Sequence, residues 1–88
     1  MTNTDDKLCV YGTESCPDVR LARAYLDRHG VDYRFCDIDQ DPDVKAALEA
    51  LSGEDWVVPT IVFPDGTVME NPSIRELADE LGRPPRRA

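Results

Sequence analysis

The apolar positions of this chain fall into short runs whose spacing alternates between two periods. Lys7-Leu8-Cys9-Val10-Tyr11 is a brief apolar stretch stopped by Gly12, the length and bounding of a buried strand. Over 18–28, Val19, Ala22 and Leu26, with Tyr25 beside them, share one face of a 3.6-residue period, while Arg20, Arg23, Asp27 and Arg28 point elsewhere; this predicts a helix. His29-Gly30 closes it, with Gly30 suited to the left-handed position and His29 near the negative end. Over 31–38, Val31, Tyr33, Phe35 and Ile38 alternate roughly with Asp32, Arg34 and Asp37, a strand with one face partly wet. Asp41-Pro42 then opens a second helix, carrying Val44, Ala47, Leu48 and Leu51 at i, i+3, i+4 and i+7, and Ser52-Gly53 ends it. Residues 57–63 are β-rich, Pro64-Asp65-Gly66 is a turn, and 67–69 continue as a strand, so the pair is an antiparallel hairpin. Ser73 to Leu81 is a third helix, with Ile74, Leu77, Ala78 and Leu81 on one face and Ser73 and Glu76 at capping-box spacing. Gly82-Arg83-Pro84-Pro85 breaks it.

The order is β-α-β-α-β-β-α. Its strand-helix-strand start requires a parallel, right-handed crossover, and the hairpin adds an antiparallel edge, so the expected fold is a four-stranded mixed sheet flanked by three helices. This is the thioredoxin-type α/β architecture in its smallest form. With 88 residues there is room for one small domain, placed at 7–82, between ends at 1–6 and 83–88 that are expected to be disordered.

Charge narrows the function. Ten Lys and Arg against 18 Asp and Glu leave a net −8, which argues against a surface that tracks phosphates, so nucleic acid is not an expected partner. No apolar run approaches the ~18 residues needed to span a bilayer, so no membrane association is expected. Residues 1–7 lack the basic-then-apolar order of a secretory signal, which makes the cytoplasm the expected compartment. The three cysteines, Cys9, Cys16 and Cys36, include no C-x-x-C pair. Neither a disulfide framework nor a metal site is expected from such spacing.

One cysteine stands apart. Cys16 precedes Pro17, and proline favours the first helical position, which assigns Cys16 to the N-cap. The chain repeats this device at Asp41-Pro42 and Asn71-Pro72, with an acidic or amide acceptor, but sulfur is not a usual cap. A thiolate there can accept first-turn N–H groups and is favoured by the positive end of the helix dipole; Glu14 and Asp18 oppose it, and Arg20 offsets them if it folds back. Cys9 and Cys36, inside strands, are expected to be core thiols. His29 lies about 18 Å along the helix from Cys16, too far for a Cys–His pair. Val58-Pro59 stands at a strand start, one of the few sheet positions proline tolerates. Trp56 is expected to cover the core edge, the alternative being the floor of a binding groove.

With Tyr11-Gly12-Thr13-Glu14-Ser15-Cys16-Pro17-Asp18-Val19-Arg20, then Val57-Val58-Pro59-Thr60 and Phe63-Pro64-Asp65-Gly66, the chain resembles the glutaredoxins over about residues 7–82. It is most similar to the actinobacterial glutaredoxin-like group that includes the mycoredoxins, which also tends to carry an Asp-Gly hairpin and a helix start like Asn71-Pro72-Ser73. The resemblance implies that Cys16 is the nucleophile, supported by Ser15, Pro17, Asp18, Val19 and Arg20. It implies that Pro59 is a cis-proline, that the Val58 backbone pairs with the cysteinyl part of a bound thiol, and that Asn71, Pro72 and Ser73 hold that thiol's far end. Val19 stands where dithiol members carry a second cysteine, and Pro17-Asp18-Val19 departs from the Cys-Gly-Phe-Ser of iron–sulfur carriers.

The expectation is therefore a monothiol oxidoreductase with no bound cofactor, using mycothiol or glutathione as co-substrate. Cys16 attacks a mixed disulfide between a protein and the small thiol, and a second thiol molecule regenerates it. Its partners would be the small thiol and thiolated or disulfide-bearing proteins, and the chain would act as a monomer. The alternatives are a binding module that keeps the groove with little turnover, and an iron–sulfur carrier.

Overall fold

A computed structural model describes residues 7–82 of the chain. The expected disordered ends at 1–6 and 83–88 lie outside the described residues. In chain order the elements are β1 (Leu8–Gly12), α1 (Pro17–Arg28), β2 (Tyr33–Asp37), α2 (Pro42–Ser52), β3 (Thr60–Val62), β4 (Val68–Glu70) and α3 (Ile74–Leu81). They form one mixed sheet in the order β2-β1-β3-β4, with β1 parallel to β2 and antiparallel to β3, and β3 antiparallel to β4. The expected architecture is the one observed.

Alternation along β1 decides which side of the sheet becomes the core. Leu8 and Val10 are buried with Ala22 and Leu26 of α1, Ile61 of β3 and Leu77 of α3 in a single cluster, so α1 and α3 lie on that side. Arg23 seals its rim: the guanidinium lies 3.9 Å from the Phe35 ring centroid, and Nε donates to the Tyr33 hydroxyl at 3.2 Å. The opposite side carries α2, which packs chiefly on β2. Its apolar stripe is therefore less buried than its periodicity predicts. Leu48 is fully buried and Val44 half-buried, but Ala47 is exposed and Leu51 is 47% exposed, because a single helix cannot cover a whole sheet face.

Two strands are shorter than the pattern predicts. The stretch at 31–38 is strand over 33–37, with the Ile38 N–H still reaching the Gly12 carbonyl at 3.0 Å; it starts late because the Val31 N–H donates to the Leu26 carbonyl at 2.9 Å and belongs to the closure of α1, with Gly30 at φ 69°. The stretch at 57–63 is strand over 60–62, with the Phe63 N–H still reaching the Thr67 carbonyl at 2.8 Å; it starts late because Pro59 has no N–H to give and Val57 is drawn into a tight loop. The Thr60 hydroxyl, buried, donates to the Val57 carbonyl at 2.6 Å and closes that loop. Cys9 and Cys36 are not core residues either. Both are half-buried, on the side of the sheet away from the core cluster.

Candidate active site at the N-terminus of the first helix

The register across β1, β3 and β4 gathers the site. Tyr11 stands opposite Thr60, and Thr60 opposite Glu70. One residue beyond this row the chain leaves the sheet three times at the same end: after Gly12 toward Cys16, before Thr60 at Pro59, and after Glu70 at Asn71. The Asn71 N–H donates to the Pro59 carbonyl at 2.7 Å and ties two of these loops together. The Val58-Pro59 peptide bond is cis, and Pro59 is fully buried. Val58 is half-buried, and its own peptide N–H and carbonyl make no hydrogen bond among the described residues.

Cys16 is the N-cap of α1, with extended backbone at φ −78° and ψ 123°, and Pro17 follows in the first turn. A turn delivers it there, the Cys16 N–H reaching the Thr13 carbonyl at 3.4 Å. The expected capping bond from sulfur is not made. At the start of α2, Asp41 accepts from the Asp43 N–H at 2.9 Å, and at the start of α3 Ser73 accepts from the Glu76 N–H at 3.1 Å, but the Cys16 side chain accepts nothing. The sulfur is half-exposed and chemically unoccupied, beside helix donors that its side chain leaves open.

The neighbours have different fates. Ser15, Pro17, Asp18 and Arg20 are exposed around the thiol, while Val19 is fully buried beneath it, with its methyl groups against Gly12. Asp18 also lines an open groove of about 340 Å³ between α1 and the start of α3, with Leu21, Ala22, Asn71, Pro72, Ser73, Ile74 and Glu76. The structure thus joins Asp18 to the Asn71-Pro72-Ser73 segment, and the other predicted residues lie outside that groove. Asn71 is not the N-cap that Asn71-Pro72 suggested: its backbone is left-handed, φ 47°, and Ser73 caps α3 two residues later. Ser73 and Glu76 form a reciprocal capping box, the Glu76 carboxylate accepting from the Ser73 N–H at 2.9 Å.

Leu21, Ile74 and Glu76 escape sequence reasoning. Leu21 gave one signal: it is apolar yet off the buried stripe of α1, and it is 59% exposed. His29 lies at the other end of α1, with its ring 4.2 Å from that of Tyr25, and Trp56 is half-buried with its indole N–H directed to Glu49 at 3.4 Å. Among the described residues no cluster of three or more His, Cys, Asp or Glu side chains suits a metal ion, and no helix is long and apolar enough to cross a membrane.

The model of the Glutaredoxin family matches residues 8–69, a span that contains the Cys16 turn and the Pro59 loop. The chain belongs to the glutaredoxin family. It is similar to Mycoredoxin 1 of Corynebacterium glutamicum, 32% identical over 72 residues that cover 82% of this chain and 89% of the relative. Among solved structures it is similar to the thioredoxin-like protein BC3987, at 26% identity and TM-score 0.73 over 83% of this chain and 97% of that one. A glutaredoxin from Archaeoglobus fulgidus shares the fold, with TM-score 0.74 and 22% identity over 91% of this chain and 90% of that one. Glutaredoxins are thiol-disulfide oxidoreductases that work with low-molecular-weight thiols and protein disulfides, and that activity class comes with the family.

Proposed function

We propose that this protein is a monothiol, glutaredoxin-like oxidoreductase of the cytoplasm that removes a small thiol from protein mixed disulfides through Cys16, acting as a monomer without a bound cofactor. The observation that carries the reading is the uncapped Cys16 sulfur, the one N-cap side chain of the three among the described residues that is left free for chemistry. The Cys16 thiolate attacks the small-thiol sulfur of a protein–S–S–R disulfide. The protein thiolate leaves and takes a proton, and Cys16–S–S–R remains; a second RS⁻ then attacks the bound R sulfur, releasing Cys16 and RSSR. With Val19 at the third position after Cys16, no neighbouring thiol on α1 competes for that step.

The unpaired peptide group of Val58 supports a role in pairing with the cysteinyl part of the thiol, and the groove at Asn71, Pro72 and Ser73 supports one in holding the far end. That groove carries two carboxylates, Asp18 and Glu76, and among the described residues no cation lines it. Such a lining favours an uncharged, hydroxyl-bearing far end over an anionic one, and so mycothiol over glutathione. The likeness to Mycoredoxin 1 agrees with this choice.

The test is intact-mass analysis after incubation with oxidised mycothiol or oxidised glutathione, on the native chain and on Cys16→Ser. The expected result is a single adduct on Cys16, formed faster with mycothiol and absent from the variant. An adduct formed with neither disulfide would overturn the reading in favour of a groove-bearing binding module.

A further inference from the structure

The two remaining cysteines sit together on the other side of the sheet. Parallel pairing sets Cys9 beside Arg34 and Tyr11 beside Cys36. Since Leu8 and Val10 face the core under α1 and α3, all four of these side chains share the side that carries α2. Cys9 and Cys36 are thus one diagonal step apart on neighbouring strands, close enough that Cys9 helps to hold the proton on Cys36. Both are free thiols and neither is fully buried. From this juxtaposition we propose that Cys9 and Cys36 are a second redox centre, a dithiol that low-molecular-weight disulfides close into an intramolecular disulfide independently of Cys16.

Burial sets the roles. Cys36 keeps its proton, its thiol pushed up from the usual 9 to about 11 by burial and then by Cys9, with Arg34 acting in the opposite sense and Asp41 in the same one. Cys9 is therefore the attacking sulfur. Having released its proton to solvent, it attacks RSSR, forms Cys9–S–S–R and expels RS⁻, which takes the proton of Cys36. The Cys36 thiolate then attacks Cys9 Sγ and expels a second RS⁻, protonated from solvent. Two protein thiols lose two electrons and one RSSR becomes two RSH. Parallel strands about 4.8 Å apart, with an offset of two residues at about 3.3 Å each, put the two Cα atoms about 8 Å apart, beyond the roughly 4.4–6.8 Å an unstrained disulfide spans. Closure thus requires β2, the outer strand beside β1, to shift along its neighbour. A bond made this way is strained and easily reduced, so it forms under a high disulfide load and opens when RSH recovers.

The test uses the Cys16→Ser chain and hydroxyethyl disulfide as the probe, so that its outcome does not depend on the role proposed for Cys16. Expected is a folded monomer, by circular dichroism and gel filtration, lighter by two hydrogen atoms, with Cys9 and Cys36 in one cross-linked peptide that mercaptoethanol reopens. In Cys16→Ser/Cys36→Ser, a mercaptoethanol adduct accumulates on Cys9, about tenfold more than on Cys36 in Cys16→Ser/Cys9→Ser. Stable adducts on the Cys16→Ser chain without closure, cross-links between chains, or two unmodified thiols would each overturn the proposal.

Discussion

Val19 occupies the space that a side chain at position 12 would need: a Cβ built on Gly12 would lie 2.5 Å from Val19 Cγ2. The contact is between the last residue of β1 and the first turn of α1, so it sets how closely the helix carrying Cys16 approaches the sheet.

Gly12→Ala should therefore destabilise the chain by about 1–3 kcal/mol through overpacking. Val19→Ala in the same chain should recover part of that loss, although alone it leaves a cavity. Urea unfolding of the four combinations checks this, and additive effects of the two changes would contradict the contact.

Asn71 separates folding from binding. Its φ of 47° is a left-handed conformation that asparagine tolerates and β-branched residues resist. Asn71→Val should cost about 1–2 kcal/mol in thermal or urea unfolding. Asn71→Gly keeps the backbone and its hydrogen bond to Pro59 while removing only the amide. That variant should melt near the native temperature, yet show a KM for the thiol substrate raised about three- to tenfold.

The carboxylates of the groove can be neutralised separately from its shape. Glu76→Gln keeps an acceptor for the Ser73 N–H, and Asp18→Asn changes an exposed residue of α1. Together they should raise the second-order rate with glutathionylated protein about three- to tenfold at low salt, shrinking as ionic strength rises. The rate with mycothiolated protein should change far less.

Cys36 gives the fold an alkaline dependence. Its thiol is raised from 9 to about 11, chiefly by burial, so the folded chain holds this proton more tightly than the unfolded chain does. Its contribution to stability is complete below about pH 9 and is lost as pH climbs toward 11. Cys36→Ser should flatten that decline in urea midpoints measured from pH 8 to pH 11.

The helices and their order were legible because each announces itself twice, by apolar spacing and by its start: Cys16-Pro17, Asp41-Pro42, and Ser73 with Glu76. Depth was less legible. Periodicity says which residues of α2 face inward but not whether enough protein lies over them, and so Ala47 and Leu51 remained outside the core. The parity of β1 already opposed Cys9 to Val10, yet cysteine's usual burial pointed inward; only the sheet's uneven covering decides between them. At the site, Cys16 and Pro59 stand out in the sequence through their neighbours. Leu21 and Glu76 do not, since an apolar residue outside the stripe and a capping glutamate each have an ordinary local meaning until α1 and α3 are set side by side.

Among the described residues, two of the three helices begin on an oxygen that secures a backbone N–H; the first begins on a sulfur that secures none. A good cap contributes about 1 kcal/mol, so a chain selected for robustness alone would place aspartate or serine at position 16. This one forgoes that stabilisation where its nucleophile stands. The open donors of Asp18 and Val19 are then left for an incoming guest, and the firmest version of this fold would be its least reactive.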